Sequence, residues 1–149
     1  MNTTDTAKPA ALIGWRLLAL FYDLWPAAAL WMAVAALFLL ANNNTPLAAF
    51  SAGQIALWCV CWLVAGGYAI VSWHRGGKTL GMRPWRLRLI GLAGAHPSLT
   101  ALSKRYVIGT LSLLLGGLGF WWAWFDRDGL TWHDRLSGTR LIREHVARL

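Results

Sequence analysis

Residues 17–41, LLALFYDLWPAAALWMAVAALFLLA, form a long apolar stretch that only Asp23 and Pro26 interrupt. A helix of this length extends about 37 Å, which is enough to cross a hydrocarbon core of about 30 Å with some tilt. The stretch is too long for the apolar region of a signal peptide and contains a carboxylate, so we expect it to be retained. It therefore predicts a membrane-spanning helix.

Two further apolar segments follow along the chain. Residues 55–73 contain no charge, and residues 107–125 are equally uncharged but include Gly109 and the glycine-rich run 116–119. With 57% hydrophobic residues among 149, the composition exceeds what a soluble domain of this size tolerates. The predicted fold is all-α: a small polytopic helical bundle with two firm spans and a third hydrophobic segment.

The course of the third segment has two interpretations. Residues 107–125 could form one glycine-containing spanning helix, in which the glycines allow close packing. Alternatively, two half-helices could be hinged at residues 116–119, so that the segment enters and leaves by the same face. We favour this re-entrant course, because a third crossing would place the arginine-rich C-terminal tail outside.

Charge is distributed unevenly between the loops. Residues 74–106 hold seven Lys or Arg and no acid, whereas the loop between the first two spans holds no charge. By the positive-inside rule, the basic loop and the N-terminus are cytoplasmic. The net charge of +8 then reflects topology and contact with anionic lipid headgroups, not nucleic-acid binding.

A sequence echo links the basic loop to the C-terminal region. GKTLGMRPWRLRLI at residues 77–90 aligns without gaps with GLTWHDRLSGTRLI at residues 129–142. Both copies end in a two-residue alternation, which predicts short β pairing of residues 86–90 with residues 139–143. We divide the chain into a cytoplasmic tail at 1–13, one membrane domain at 14–143 and a short tail at 144–149.

No residue pattern indicates catalysis or metal binding. The four histidines show no ligand spacing, and no Ser or Cys nucleophile stands beside a candidate base. Cys59 and Cys61 lie inside the second span, where we interpret them as small packing residues. We expect no enzymatic activity, no cofactor and no metal site.

Three short motifs stand out in order along the chain: GWRLLALFYDL with Arg16 and Asp23, TLG at residues 79–81, and WHDRLSGTRLI with Asp134. Together they resemble the RDD family of membrane proteins, which is named for one arginine and two aspartates. The family's function is unresolved, so the resemblance implies a membrane domain and a residue set without an activity. The boxes in the loop and C-terminal region add Thr79, Gly81, Arg88, His133, Gly138 and Thr139.

These residues support competing function hypotheses. Placing Arg16 at the cytoplasmic entry puts Asp23 about a third of the way into the membrane, where an ionisable group suggests function. The first hypothesis is a small-cation or proton transporter, with Asp23, Arg16 and Tyr22 as its candidate ion or proton site. The alternative is a non-transporting membrane adaptor or assembly factor, in which Arg16 pairs with Asp134 and Asp23 bonds to a neighbour such as Tyr22, Tyr68 or the backbone.

The sequence also indicates where the protein works and with what. The compact multi-pass architecture favours the bacterial inner membrane, with a cytoplasmic N-terminus. The chain is too small to enclose a transport pathway comfortably, so we expect a homo-oligomer or a larger membrane partner.

Overall fold

A computed structural model describes residues 12–92 and 94–144. Within this part of the chain, five helices and two strands follow one another. They are α1 (Ile13–Ala41), α2 (Ala52–Gly76), β1 (Leu87–Gly91), α3 (Leu99–Leu114), α4 (Leu118–Phe125), α5 (Trp132–Ser137) and β2 (Thr139–Arg143).

Two long antiparallel helices form the body of the molecule. α1 has 29 residues and α2 has 25, and both are long and apolar enough to cross a membrane. The Trp31 indole of α1 donates a hydrogen bond to the Cys61 carbonyl of α2 at 3.0 Å. The two predicted spans are confirmed as helices. Each helix continues beyond its predicted span at the end where α1 begins and α2 ends, which we call the basal end.

The third hydrophobic segment is broken into α3 and α4, whose axes differ by 98°. Gly116 adopts φ 69° at the break, and its amide donates to the Leu113 carbonyl at 3.1 Å. The Gly117 amide donates to the Ser112 carbonyl at 2.8 Å. This pair of bonds is the Schellman arrangement, which satisfies carbonyls at a helix end. The turn therefore suits an apolar environment, and the predicted hinge at residues 116–119 begins two residues after α3 ends.

Both ends of the α3–α4 segment are fixed at one small sheet. β1 precedes α3, β2 follows α5, and the two strands pair antiparallel from Leu87 with Arg143 to Gly91 with Thr139. The predicted pairing of residues 86–90 with 139–143 is confirmed, with β1 shifted by one residue. Because the strands are neighbours, the segment between them leaves and re-enters the same basal end. The chain thus turns back within the molecule, as the re-entrant interpretation expects.

The sequence echo is also a structural repeat. Gly77 and Gly129 occupy equivalent positions in the two copies, and both adopt a left-handed backbone, with φ 67° and 64°. Thr79 and Thr131 follow at equivalent positions, and both are buried. β1 and β2 begin at equivalent residues. The two copies therefore form related units that pair with each other through their strands.

The hydrophobic core lies at the basal end, where the sheet covers the first turns of α1. Leu87 and Leu89 of β1 are 0% and 2% exposed, and they pack with Ala19 of α1 and Leu102 of α3. Farther from the basal end, α3 and α2 pack closely at Gly66. A Cβ at Gly66 would lie only 2.6 Å from the Tyr106 ring of α3. One face of the early turns of α1, with Ile13, Arg16 and Ala19, is thus covered by protein, and the rest of α1 is largely exposed.

Candidate functional site

The Asp134 carboxylate is completely buried between two arginines. Asp134 lies in the first turn of α5 and is 0% exposed. Its Oδ2 atom lies 2.6 Å from Nη2 of Arg16 on α1, and its Oδ1 atom accepts from Nη1 of Arg105 on α3. The carboxylate also accepts the Thr131 amide at 3.3 Å, and the Thr131 hydroxyl accepts the Asp134 amide. This capping box fixes the side chain toward both guanidinium groups.

Arg105 was absent from the residues predicted from the sequence. Its guanidinium also donates to the Thr139 hydroxyl at 2.9 Å and lies 5.5 Å from the centroid of the Trp73 ring. One signal could have identified it. Arg105 lies two residues before the uncharged segment 107–125, much as Arg16 immediately precedes residues 17–41. Each arginine lies at the basal end of the hydrophobic segment that follows it.

The buried triad of Arg16, Arg105 and Asp134 carries a net charge of +1. Burial alone would raise the pKa of Asp134, but the charges of Arg105 and Arg16 outweigh it and hold that pKa well below 3.8. The neighbouring His133 is 4% exposed, and its ring packs on Phe120 at 4.8 Å. Burial and the charge of Arg105 lower the pKa of His133 well below 6.5. His133 is therefore neutral at pH 7 and adds no third cation.

Asp23 forms a second, half-buried cluster, and within the described residues its hydrogen bonds include no cationic partner. Its Oδ1 atom accepts the Tyr68 hydroxyl of α2 and the Gly81 amide, each at 2.8 Å. Its Oδ2 atom accepts the Thr79 hydroxyl. The Tyr68 hydroxyl in turn accepts the Leu80 amide at 3.0 Å. Asp23 thus joins α1, α2 and the loop after α2.

Gly81 is required by the closeness of the loop to α1. A Cβ at this position would lie 2.1 Å from the Ala19 carbonyl oxygen and 2.7 Å from Cγ of Asp23. Any larger residue would push the loop away from the helix. The short box at residues 79–81 therefore supplies one hydroxyl, one amide and the missing side chain that lets both reach Asp23.

The structure distributes the residues of the predicted ion or proton site among different contacts. Arg16 pairs with Asp134, and Asp23 accepts from the loop and α2. The Tyr22 ring packs edge-on against Trp85 at 5.7 Å. Asp23 is bonded to Tyr68 and to backbone, which are two of the neighbours that the clamp hypothesis named.

The remaining loop residues hold the sheet and the short helix. Arg88 lies 3.4 Å from Glu144, which Lys78 approaches to 2.6 Å. The hydrogen bond from Lys78 lowers the pKa of Glu144, so that carboxylate is charged at neutral pH. Gly138 ends α5 with φ 67°. In residues 12–92 and 94–144, no group of three or more His, Cys, Asp and Glu is placed to hold a metal ion.

Two long apolar helices, a broken third segment and a small basal sheet define a small helical membrane protein. The sequence profile of the RDD family matches residues 10–138, which is most of the chain. The chain belongs to the RDD family. No curated protein and no solved structure matches it.

Proposed function

We propose that this RDD-family protein is a non-transporting membrane adaptor or assembly factor and not an enzyme, with Arg16, Asp23 and Asp134 acting as its structural clamp. One observation carries the proposal: every carboxylate oxygen in the clamp already has a protein partner. Both oxygens of Asp134 pair with arginine, and both oxygens of Asp23 accept hydrogen bonds from Tyr68, Thr79 and Gly81. A carboxylate that exchanges protons and cations needs an oxygen open to them.

The length of the helices supports a boundary position for Asp23. A span of the hydrocarbon core takes about 20 helical residues. Counted back from Ala41, the end of α1, such a span begins at Tyr22; counted from Ala52, the start of α2, it ends at Val71. Both counts put the Asp23–Tyr68 bond near the inner edge of the core. On this count Asp23 lies closer to the boundary than the third of the way expected from the sequence, so its position alone does not require a role inside the membrane.

The proposed setting is the bacterial inner membrane, with the basal end in the cytoplasm. Maleimide labelling of single cysteines tests this orientation in a C59S/C61S background. Asn43, in the loop between α1 and α2, and Arg127, after α4, are both exposed. We expect N43C to react with an impermeant reagent in intact cells and R127C to react only after lysis. The opposite pattern would invert the orientation.

The adaptor hypothesis predicts the absence of ion exchange. Purified protein would be sealed into liposomes with an internal pH-sensitive dye, and Na⁺, K⁺ or Li⁺ would be added outside. We expect liposomes with wild-type protein to show the same cation-driven proton flux as liposomes without protein. Cation-driven proton flux that D23N abolishes and D128N retains, with both variants folded, would instead establish a transporter. Asp128 is a suitable control because its side chain is 60% exposed.

A positive test of the adaptor hypothesis uses the basal sheet. Its inner face carries Leu89 and Leu141, which are buried, so Ile90 and Ile142 lie on the opposite face. A photo-crosslinking residue at either isoleucine should give a discrete product with a larger membrane protein or a second copy in native membranes. The same residue at Leu37, which is 65% exposed on α1, provides the lipid-facing control. Identical products from all three positions would contradict a docking face on the sheet.

A further inference from the structure

The loop between α2 and β1 lies at the level of the membrane boundary. Tyr22 and Val71 mark the inner edge of the hydrocarbon core on α1 and α2 by the length argument above, and Asp23 follows Tyr22 directly. Thr79 and Gly81 both donate to Asp23, which places this loop at the same level. The sequence predicted that the basic loop 74–106 contacts lipid headgroups. The bonds to Asp23 hold the part at residues 79–81 at the level of those headgroups.

Aromatic packing also holds the loop in place. The Trp85 ring lies 5.2 Å from Trp15 and 5.7 Å from Tyr22, both on α1. Successive backbone bonds, from Arg83 to the Leu80 carbonyl and from Arg86 to the Arg83 carbonyl, give the loop a fixed turn conformation. A ligand bound here would therefore meet a preorganised surface.

The exposed side chains of this loop are suited to a lipid. Leu80 is 50% exposed although it lies beside the Tyr68 hydroxyl, near the edge of the core. Arg83 and Arg86 are exposed, and Arg83 lies within electrostatic range of Tyr68. An exposed apolar side chain in the same short turn as two exposed arginines matches the junction between acyl chains and phosphate.

Arg83 and Arg86 form no ion pair with the described residues. Arg105 is committed to Asp134, and Lys78 and Arg88 share Glu144. In residues 12–92 and 94–144, neither Arg83 nor Arg86 lies within 4.0 Å of an acidic oxygen. Guanidinium groups bind phosphate through paired hydrogen bonds, so two exposed arginines within one short loop favour a phosphodiester.

We propose that the loop 79–86 is a binding site for an anionic phospholipid, in which Arg83 and Arg86 bind the headgroup phosphate and Leu80 contacts the acyl chains. The site is independent of whether the protein transports ions. It would fix the height of the basal end against the inner leaflet and hold the loop against Asp23.

Native mass spectrometry of the detergent-solubilised protein with added phosphatidylglycerol or phosphatidylcholine tests the site. We expect wild type to retain phosphatidylglycerol preferentially, and R83Q/R86Q to bind it about tenfold or more weakly, since each basic residue near headgroups is worth about 1 kcal/mol. The control R127Q/R140Q removes the same charge elsewhere and should keep wild-type binding. R83Q and R86Q alone should each give a weaker loss and serve if the double variant unfolds.

Three results would overturn the site. Equal weakening in R83Q/R86Q and R127Q/R140Q would show attraction by overall charge. Equal retention of phosphatidylcholine and phosphatidylglycerol would show no headgroup preference. Complete displacement of the lipid by millimolar inorganic phosphate would show an anion site without acyl-chain contacts.

Discussion

Asp134→Asn is expected to destabilise the fold by about 3–5 kcal/mol, because it leaves two buried guanidinium groups without an anion. Asn preserves the shape of the side chain and one acceptor oxygen, so the loss of stability measures the effect of removing the negative charge. Arg16 and Arg105 are each 6% exposed, and water cannot readily replace the missing carboxylate. Because Asp134 pairs with both arginines, the substitution should weaken the contacts of α5 with α1 and with α3 together.

Unfolding in mixed micelles with increasing sodium dodecyl sulfate measures this effect. D128N is the matched control, because Asp128 is exposed and its partner Arg135 also contacts Asp126. We further expect R16Q to cost less than D134N. The triad has two cations for one anion, so removing Arg16 leaves a neutral pair, and removing Asp134 leaves two positive charges. If R16Q cost as much as D134N, the net charge of the triad would not govern its stability.

The pH dependence of stability follows from the same site. The pKa of His133 is held below 6.5 in the folded state, so unfolding takes up a proton as pH falls below about 6.5 and wild type loses stability there. The pKa of Asp134 is depressed below 3.8, so its contribution is complete above that value and is lost as pH falls below about 4. D134N should remove the contribution of Asp134 to this second, acidic phase of the loss.

Hydropathy and the sequence echo predicted the parts of this structure that depend on local pattern. The two spans follow from long, almost entirely apolar runs, and the strand pairing follows from two copies of one alternation. Basic residues in the tail favoured a re-entrant third segment over a crossing, and this segment does bend back toward the basal end. Each of these signals lies within a continuous stretch of chain.

The contacts of the candidate site could be predicted only in part. The pairing of Arg16 with Asp134 was proposed because both belong to the family motif, but Arg105 belongs to no motif and reaches Asp134 across 29 residues. Thr79 reaches Asp23 across 56 residues, and only the folded loop shows that Gly81 makes this approach possible. Such contacts depend on how far each helix extends below the membrane, which hydropathy does not report.

Gly81→Ala is the second change expected to have a large effect, about 2–4 kcal/mol of destabilisation from overpacking and lost hydrogen bonds. The new Cβ would meet the Ala19 carbonyl oxygen at 2.1 Å, and that oxygen belongs to the backbone of α1. A flexible side chain could move aside, but a helix backbone cannot. The loop must therefore retreat, which separates Asp23 from the Gly81 amide and the Thr79 hydroxyl.

Gly67→Ala is the control, because a Cβ at Gly67 in α2 meets nothing within 4 Å. Alanine there should leave stability unchanged or raise it by up to about 1 kcal/mol, as expected in a helix interior. A double-mutant cycle with D23N separates the two causes of the Gly81 effect. If G81A acts by displacing the donors to Asp23, its cost will be clearly smaller in the D23N background. An unchanged cost would assign the effect to the clash with α1 alone, and Asp23 would no longer explain why the loop needs glycine at this position.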